Sequence, residues 1–437
     1  MQNSEATMRA APPGPPLVSN RSALLIVFLV VFIDLLGFGI VLPLLPRIAE
    51  QYAEKILPEG ASQQSFSGLI IGLLMSSFSL MQFIFAPVWG RISDRVGRRP
   101  ILLLGLVGSV VFYFLFGWAA HLPPESMAMT ALVLFFVSRI GAGVAGATIA
   151  TAQAVIADST PPEKRKHGMA LIGAAFGIGF TFGPLLGFGS MYFFPEHHEA
   201  IGYTAAALSL VALVLGYWLL PETRRFETEP PLARGWLNFA GMGKALASSS
   251  IGPVILTFFL ATLGFGAFEG TLALLLKDSF QFSEDKSFLI FAYVGFVLML
   301  TQGFLYRKLA ARLSEVTFMA IGLLLMASGV GALGGVTYLA SQGSPLLWLL
   351  FLALTFAVVG FAFLTPSAQA LISRRTDANQ QGEILGVNQS ASAMARILGP
   401  VLGVTLYKST DTHLLPYVFA AVLLLVMLPM IPRLRRG

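Results

Sequence analysis

Residues Ala23–Pro46 read ALLIVFLVVFIDLLGFGIVLPLLP, two dozen residues with a single charge, Asp34, near the middle. A helix needs about 20 apolar residues to cross the hydrocarbon core of a bilayer. A carboxylate at the centre of such a helix costs about 2.5–3.5 kcal/mol on insertion scales, so its presence asks for a purpose. Eleven more apolar runs follow, at Phe66–Trp89, Ile101–Ala120, Met127–Ile156, His167–Phe188, Ile201–Leu220, Pro253–Lys277, Phe288–Tyr306, Val316–Leu339, Leu346–Ile372, Gly382–Tyr407 and Leu414–Ile431. Isolated strands cannot satisfy their backbone in lipid, so these runs read as helices. Membrane-barrel strands would alternate in polarity over about 10 residues, and these runs do not.

The 437 residues are 56% hydrophobic and only 11% charged. A soluble domain carries about 25% charged residues, so water cannot be the solvent for most of this surface. With no cysteine there is no disulfide and no thiolate chemistry. The five histidines show no metal-ligand spacing, so no metal and no cofactor is expected.

Of the 28 lysines and arginines, 21 fall in alternate segments that include both termini, five fall in the other loops, and Arg139 and Arg396 lie inside apolar runs. The positive-inside rule then puts both termini in the cytosol, and the short loops suit a bacterial inner membrane. The net charge of +6 follows from topology and needs no nucleic-acid partner. Residues 1–21 read as a polar, proline-rich cytosolic tail, and Ala23–Pro46 as a retained helix rather than a removed signal.

The longest polar interruption, Pro221–Ser250, divides the chain into residues 22–220 and 251–437, with 221–250 as a cytosolic linker. The two parts repeat one another. Leu36-Gly37-Phe38-Gly39 recurs as Leu263-Gly264-Phe265-Gly266, Ala152-Gln153-Ala154 as Ala368-Gln369-Ala370, and Gly183-Pro184 with Gly187 as Gly399-Pro400 with Gly403. The last two share an offset of 216 residues, which argues duplication. Parallel six-helix repeats are a transporter arrangement, with substrate held between the halves. The expected fold is therefore all-α, twelve membrane helices in two pseudo-symmetric six-helix bundles.

The loop after the second run reads Gly90-Arg91-Ile92-Ser93-Asp94-Arg95-Val96-Gly97-Arg98-Arg99-Pro100. Gly97 suits a turn with positive φ, and Pro100 suits the first turn of the next helix. This motif resembles the signature loop of the major facilitator superfamily, and the resemblance extends over all twelve runs. Within it, Asp34, Gly37, Gly39, Pro43 and Pro46 resemble the first helix of the twelve-helix drug:proton antiporters, tetracycline-efflux proteins in particular. The resemblance implies a cytosolic latch built from Gly90, Asp94, Arg95, Gly97 and Arg98, with Asp94 against the start of run eleven near Gly382. Arg91, Arg95 or Arg98 would pair with Asp158. The second-half copy, Gln302–Lys308, lacks the acid, so one strong latch is expected.

Asp34 and Arg139 each lie about 12 residues into their runs, or about 18 Å deep at 1.5 Å per residue. A guanidinium at that depth requires a partner. The surrounding Ser138-Arg139-Ile140-Gly141-Ala142-Gly143 resembles the family's proton-linked arginine motif, so Asp34 with Arg139 is the expected proton-coupling pair. Gly179, Gly183, Pro184 and Gly187 resemble the antiporter signature. Glu269 and Arg396 add charges in the second half, and Phe38, Gln82, Gln153, Tyr293, Asn388 and Gln389, with Asp34, complete the expected substrate cavity.

Two departures matter. Phe112 stands where tetracycline-type relatives carry an acid, and run nine has no acid. The expected substrate is thus an amphipathic or drug-like small molecule exchanged for protons, with the proton gradient as driver and the chain as a monomer in the bilayer. A lipid or lysolipid exporter, a sugar symporter or uniporter, and a non-transporting scaffold are the alternatives; an enzyme is not expected.

Overall fold

The computed structural model describes residues 21–58, 63–160, 165–223, 243, 246–376 and 381–432; within these, the side chains of residues 21–23, 34, 157, 165–174, 176 and 381–383 are outside the description. The terminal tail, residues 224–242 and 244–245 of the linker, and the last five residues also lie outside it.

The fold is all-α. Spans one to six are Arg21–Val41, Gln63–Val96, Arg98–His121, Pro124–Ala145 with its continuation Ile149–Ser159, Arg165–Phe193 and Glu199–Leu219. Spans seven to twelve are Gly252–Phe280, Glu284–Leu300 with its continuation to Ala310, Glu315–Ser341, Leu347–Arg374, Gln381–Lys408 and Leu415–Met427. Over the described residues nine are long and apolar enough to cross a membrane, and spans five, eleven and twelve fill the other expected places. On span three, Leu104, Val107, Val111, Phe114 and Trp118 are all exposed. Their spacing of three to four residues makes one apolar stripe, which water would not tolerate and acyl chains solvate.

The first span departs from expectation. It ends at Val41 rather than Pro46, a turn occupies residues 42–44, and a separate helix runs Leu45–Ile56. Pro43 has no N–H to continue the first helix, whereas Pro46 sits in the first turn of the second, where none is needed. This interface helix buries Leu45, Ile48, Ala49, Glu50, Tyr52 and Ala53. Tyr52 donates to the Leu122 carbonyl at 2.5 Å, tying the helix to the end of span three.

The duplication is visible as a repeated helix crossing. A Cβ on Gly183 would stand 2.8 Å from the Gly39 Cα, where spans five and one cross. A Cβ on Gly399 would stand 3.0 Å from the Gly266 Cα, where spans eleven and seven cross. The two glycine pairs are the repeated residues of the two halves, so backbone meets backbone at the same place twice.

Two seams join the halves. A Cβ on Gly72 of span two would lie 2.6 Å from the Val401 Cα of span eleven, and one on Gly295 of span eight would lie 2.3 Å from the Phe180 carbonyl of span five. Further along the same helices, toward the basic loops, Gly303 and Gly386 meet nothing within 4 Å among the described residues. Span two is partly exposed throughout residues 81–90. Among the described residues the halves are thus packed together at the end away from the basic loops and stand apart, across a crevice, toward the basic end.

Candidate functional site

Charged groups of the interior lie beside the two seams. The Ser76 hydroxyl of span two donates to the Ile397 carbonyl of span eleven, beside Arg396. Two residues on, Phe78 carries the Arg139 guanidinium 4.6 Å above its ring centroid. Phe38 stands on the same guanidinium at 5.6 Å, packs on Phe78 at 4.9 Å and meets Phe180 edge-on at 5.8 Å. Phe180 in turn lends its carbonyl to the Gly295 contact. Arg139, Arg396 and an aromatic cluster therefore form the roof of the crevice.

Arg139 is 2% exposed, and its Nε and Nη1 have no hydrogen-bond partner among the described residues. Aromatic faces give a desolvated cation about 2 kcal/mol each at best, which does not replace the solvation it has lost. Asp34 lies on span one, but its side chain is outside the described residues, so the expected Asp34–Arg139 contact is not tested. Small residues beside Arg139 let neighbouring groups pack closely. Phe112 occupies the space over Gly141, 2.2 Å from where a Cβ would be, and the Phe78 carbonyl occupies that over Gly143 at 2.5 Å. The ring that replaces an acid at position 112 is a packing group.

In the second half Arg396 is exposed to the crevice and donates from Nη1 to Ser392 at 2.9 Å. Glu269 is half-buried on span seven and interacts electrostatically with Arg396, yet no ion pair within 4.0 Å joins them. Asn388, Ser392 and Arg396 follow at helical spacing. Asn388 is 1% exposed, and its Oδ1 has no partner among the described residues. Gln389 is exposed. Tyr293 bonds Thr355 at 2.6 Å and packs edge-on against Phe351.

Gln82 and Gln153 part company. Span four changes to a tighter turn at Gly146–Thr148, and side chains from span two reach it: Gln82 donates to the Gly146 carbonyl at 3.2 Å and Trp89 to the Val144 carbonyl at 2.7 Å. Gln82 thus steadies a helix break, while Gln153 stays exposed. Gly179 faces Leu35, Gly183 and Pro184 face Gly39, and Gly187 leaves room for the Phe288 ring of span eight.

The basic loop is organised by Arg98. Its Nε donates to Asp158 at 3.1 Å, and its Nη1 contacts Asp94 at 2.5 Å and Ser93 at 2.7 Å. Gly90 is half-buried and Arg95 exposed. Gly97 has φ +115°, and a Cβ there would fall 2.5 Å from a Glu222 carboxylate oxygen. Glu222, which the sequence reading passed over as linker, accepts the backbone N–H groups of Arg98 and Arg99 at 2.9 and 3.1 Å. An anion on the free N–H groups of a helix start is favourable, and only its acidic character at the linker's edge signalled it. Arg374 of span ten pairs with Glu315 of span nine at 2.8 Å. This exposed pair lies within the second half and is built from residues outside the degenerate loop copy Gln302–Lys308.

Known proteins share this architecture. A family model described as Major Facilitator Superfamily matches residues 27–315 and 254–436. The chain is 30% identical to the tetracycline resistance protein, class E, of Escherichia coli, over 90% of this chain and 89% of that one. It is 29% identical to major facilitator superfamily domain-containing protein 10 of Homo sapiens, over 90% of each. The crystal structure of the human organic anion transporter MFSD10 superposes with a TM-score of 0.66 at 28% identity, over 95% of this chain and 100% of that one. The D-xylose–proton symporter superposes at 0.76 over 95% and 97%, and at 17% identity it shares the fold alone. Two duplicated bundles around a charged crevice, matched along nearly the whole chain, make this an integral multi-pass membrane protein and a secondary-active transporter of small molecules, belonging to the Major Facilitator Superfamily.

Proposed function

We propose that the protein is a proton-coupled antiporter that exports amphipathic, drug-like small molecules by alternating access. The observation that carries this is Arg139, a buried guanidinium at mid-span, under an aromatic cluster where the halves meet. Asp34, about as deep from the other direction, is its proton-bearing partner. A buried carboxyl holds its proton until a cation approaches, and rocking of the halves changes that approach. The moving bodies are residues 22–220 and 251–437. The basic end is cytosolic by the positive-inside rule, so the crevice opens to the cytosol and loads substrate there. Gly179, Gly183, Pro184 and Gly187 support exchange rather than symport through their resemblance to the antiporter signature.

Arg396 favours a second reading for the substrate. Among the described residues its exposed guanidinium has no carboxylate within 4.0 Å, and a structural relative is named an organic anion transporter. An anionic group on an amphipathic substrate would dock there.

Purified protein in proteoliposomes, given a panel of cationic, neutral and anionic amphipaths with and without a pH gradient, tests both readings. Gradient-driven movement of any member supports proton exchange. Movement indifferent to the gradient rejects it, and anion preference selects the second substrate reading.

A further inference from the structure

The end of the molecule away from the basic loops is held by a charged cluster that none of the transport residues above explains. The interface helix Leu45–Ile56 belongs to the first half, anchored by Tyr52, whose ring meets Phe135 edge-on at 5.4 Å. From that anchored helix two side chains reach into the second half. Arg47 donates to the Ser287 hydroxyl at 3.1 Å and the Phe282 carbonyl at 2.9 Å. One turn later Glu50, 1% exposed, gives one carboxylate oxygen to Lys277 at 2.6 Å and the other to Lys408.

We propose that Glu50, gripped by Lys277 and Lys408, is the releasable lock that keeps this end shut, and that it separates when the transporter opens there. The inference rests on alternating access, since only a chain that opens at both ends needs such a device.

Three features suit the cluster to release. Both lysines sit in the last turn of their helices, spans seven and eleven, where the carbonyl ends of the helix favour a cation even after Glu50 departs. The Lys277 side chain is already 44% exposed, so it regains water readily. A buried ion pair is also a poor glue, because desolvation offsets its attraction, whereas separated charges recover their hydration. An apolar seam would lose on opening what this cluster regains. The lock lies beside the seam: a Cβ on Gly68 of span two would meet the Val404 carbonyl at 2.8 Å and the Lys408 side chain at 3.0 Å. Among the described residues, the basic-end pairs Arg98–Asp158 and Arg374–Glu315 each stay within one half.

The chain has no native cysteine, which makes the test direct and free of any need for substrate. Thr405 lies on the seam, its Cα 3.1 Å from a Cβ placed on Gly68 and its hydroxyl buried. The T405C chain is labelled in intact membranes with an impermeant maleimide from the side of the lock. Adding E50Q is expected to raise the initial labelling rate about tenfold, because it leaves the nearly buried Lys408 and the part-exposed Lys277 side by side without a counter-charge. E50K should label at least as fast. The E50K/K408E double variant, which again sets a carboxylate among lysines, should return to the parent rate. That return separates a charge lock from a folding defect. An E50Q chain labelled at the parent rate, or a double variant as open as E50K, overturns the proposal. Either result leaves the transport reading standing, because proteoliposome flux tests that separately.

Discussion

Arg374 donates to both oxygens of Glu315 at 2.8 Å, at the place where, in the other half, Asp158 accepts from Arg98 at 3.1 Å. Asp158 and Arg374 are 216 residues apart, the offset of the internal repeat, and each ends its half's fourth span. Arg98 and Glu315 each begin the third. The duplicated halves kept an ion pair at this corner and exchanged its charges.

The two pairs differ in burial, and so in consequence. The Arg98 side chain is 8% exposed and that of Arg374 is 69% exposed. R98A removes the cation that Asp94 and Asp158 share; both carboxylates are about a third exposed, so the loss should be about 1.5–3 kcal/mol. R374A should cost less than about 1 kcal/mol. Thermal melting in detergent, with R98K as an intermediate, checks the contrast.

G97A meets two obstacles at once, a positive φ and the Glu222 carboxylate in the space of its Cβ. It should destabilise by about 1–3 kcal/mol. E222A, which removes only the carboxylate on the helix start, should cost about 1 kcal/mol. If the carboxylate is the main obstacle, G97A on the E222A background should lose part of its penalty in a double-mutant cycle of melting temperatures.

Glycines along span eight report which parts of the halves touch. G295A places a methyl 2.3 Å from the Phe180 carbonyl and should push the seam apart, raising T405C labelling. G303A meets nothing within 4 Å among the described residues and should leave labelling unchanged. Equal effects would contradict the packed-end, open-end arrangement.

His198 lies 2.8 Å from Glu284 across the halves, and hydrogen bonding to that carboxylate raises its pKa against the opposing effect of burial. Glu199 also favours its charged form, and Arg47 disfavours it. A raised folded pKa means the contribution is complete below the ordinary value of 6.5 and is lost as pH rises through the folded value. Melting should therefore fall across neutral pH, and H198A should flatten that slope. Glu50 behaves oppositely. Burial pushes its carboxyl up, Lys408 and Lys277 together pull it down further, and the net shift is downward. Its lock stays charged at neutral pH and weakens only as pH falls through that depressed value.

D34N should abolish flux driven by a pH gradient, and R139Q should do the same through loss of the cation. Both are read in proteoliposomes, with binding of the same substrate measured separately. A D34N chain with unchanged pH dependence removes Asp34 as the proton carrier.

By itself the sequence determined the twelve spans, the duplication and the basic loop. Each rests on local chemistry: apolar length matched to bilayer thickness, repeated glycines at helix crossings, and Gly97 at a turn that needs positive φ. Only the tertiary structure decided which charges meet. Arg98 rather than Arg91 or Arg95 holds Asp158 at 3.1 Å, Glu222 takes the helix start, and Glu50 lies between lysines 227 and 358 residues away. Hydropathy places a residue at a depth along its own helix. Its partner depends on how that helix is rotated and on which half it leans against, and close packing of side chains from distant parts of the chain sets both.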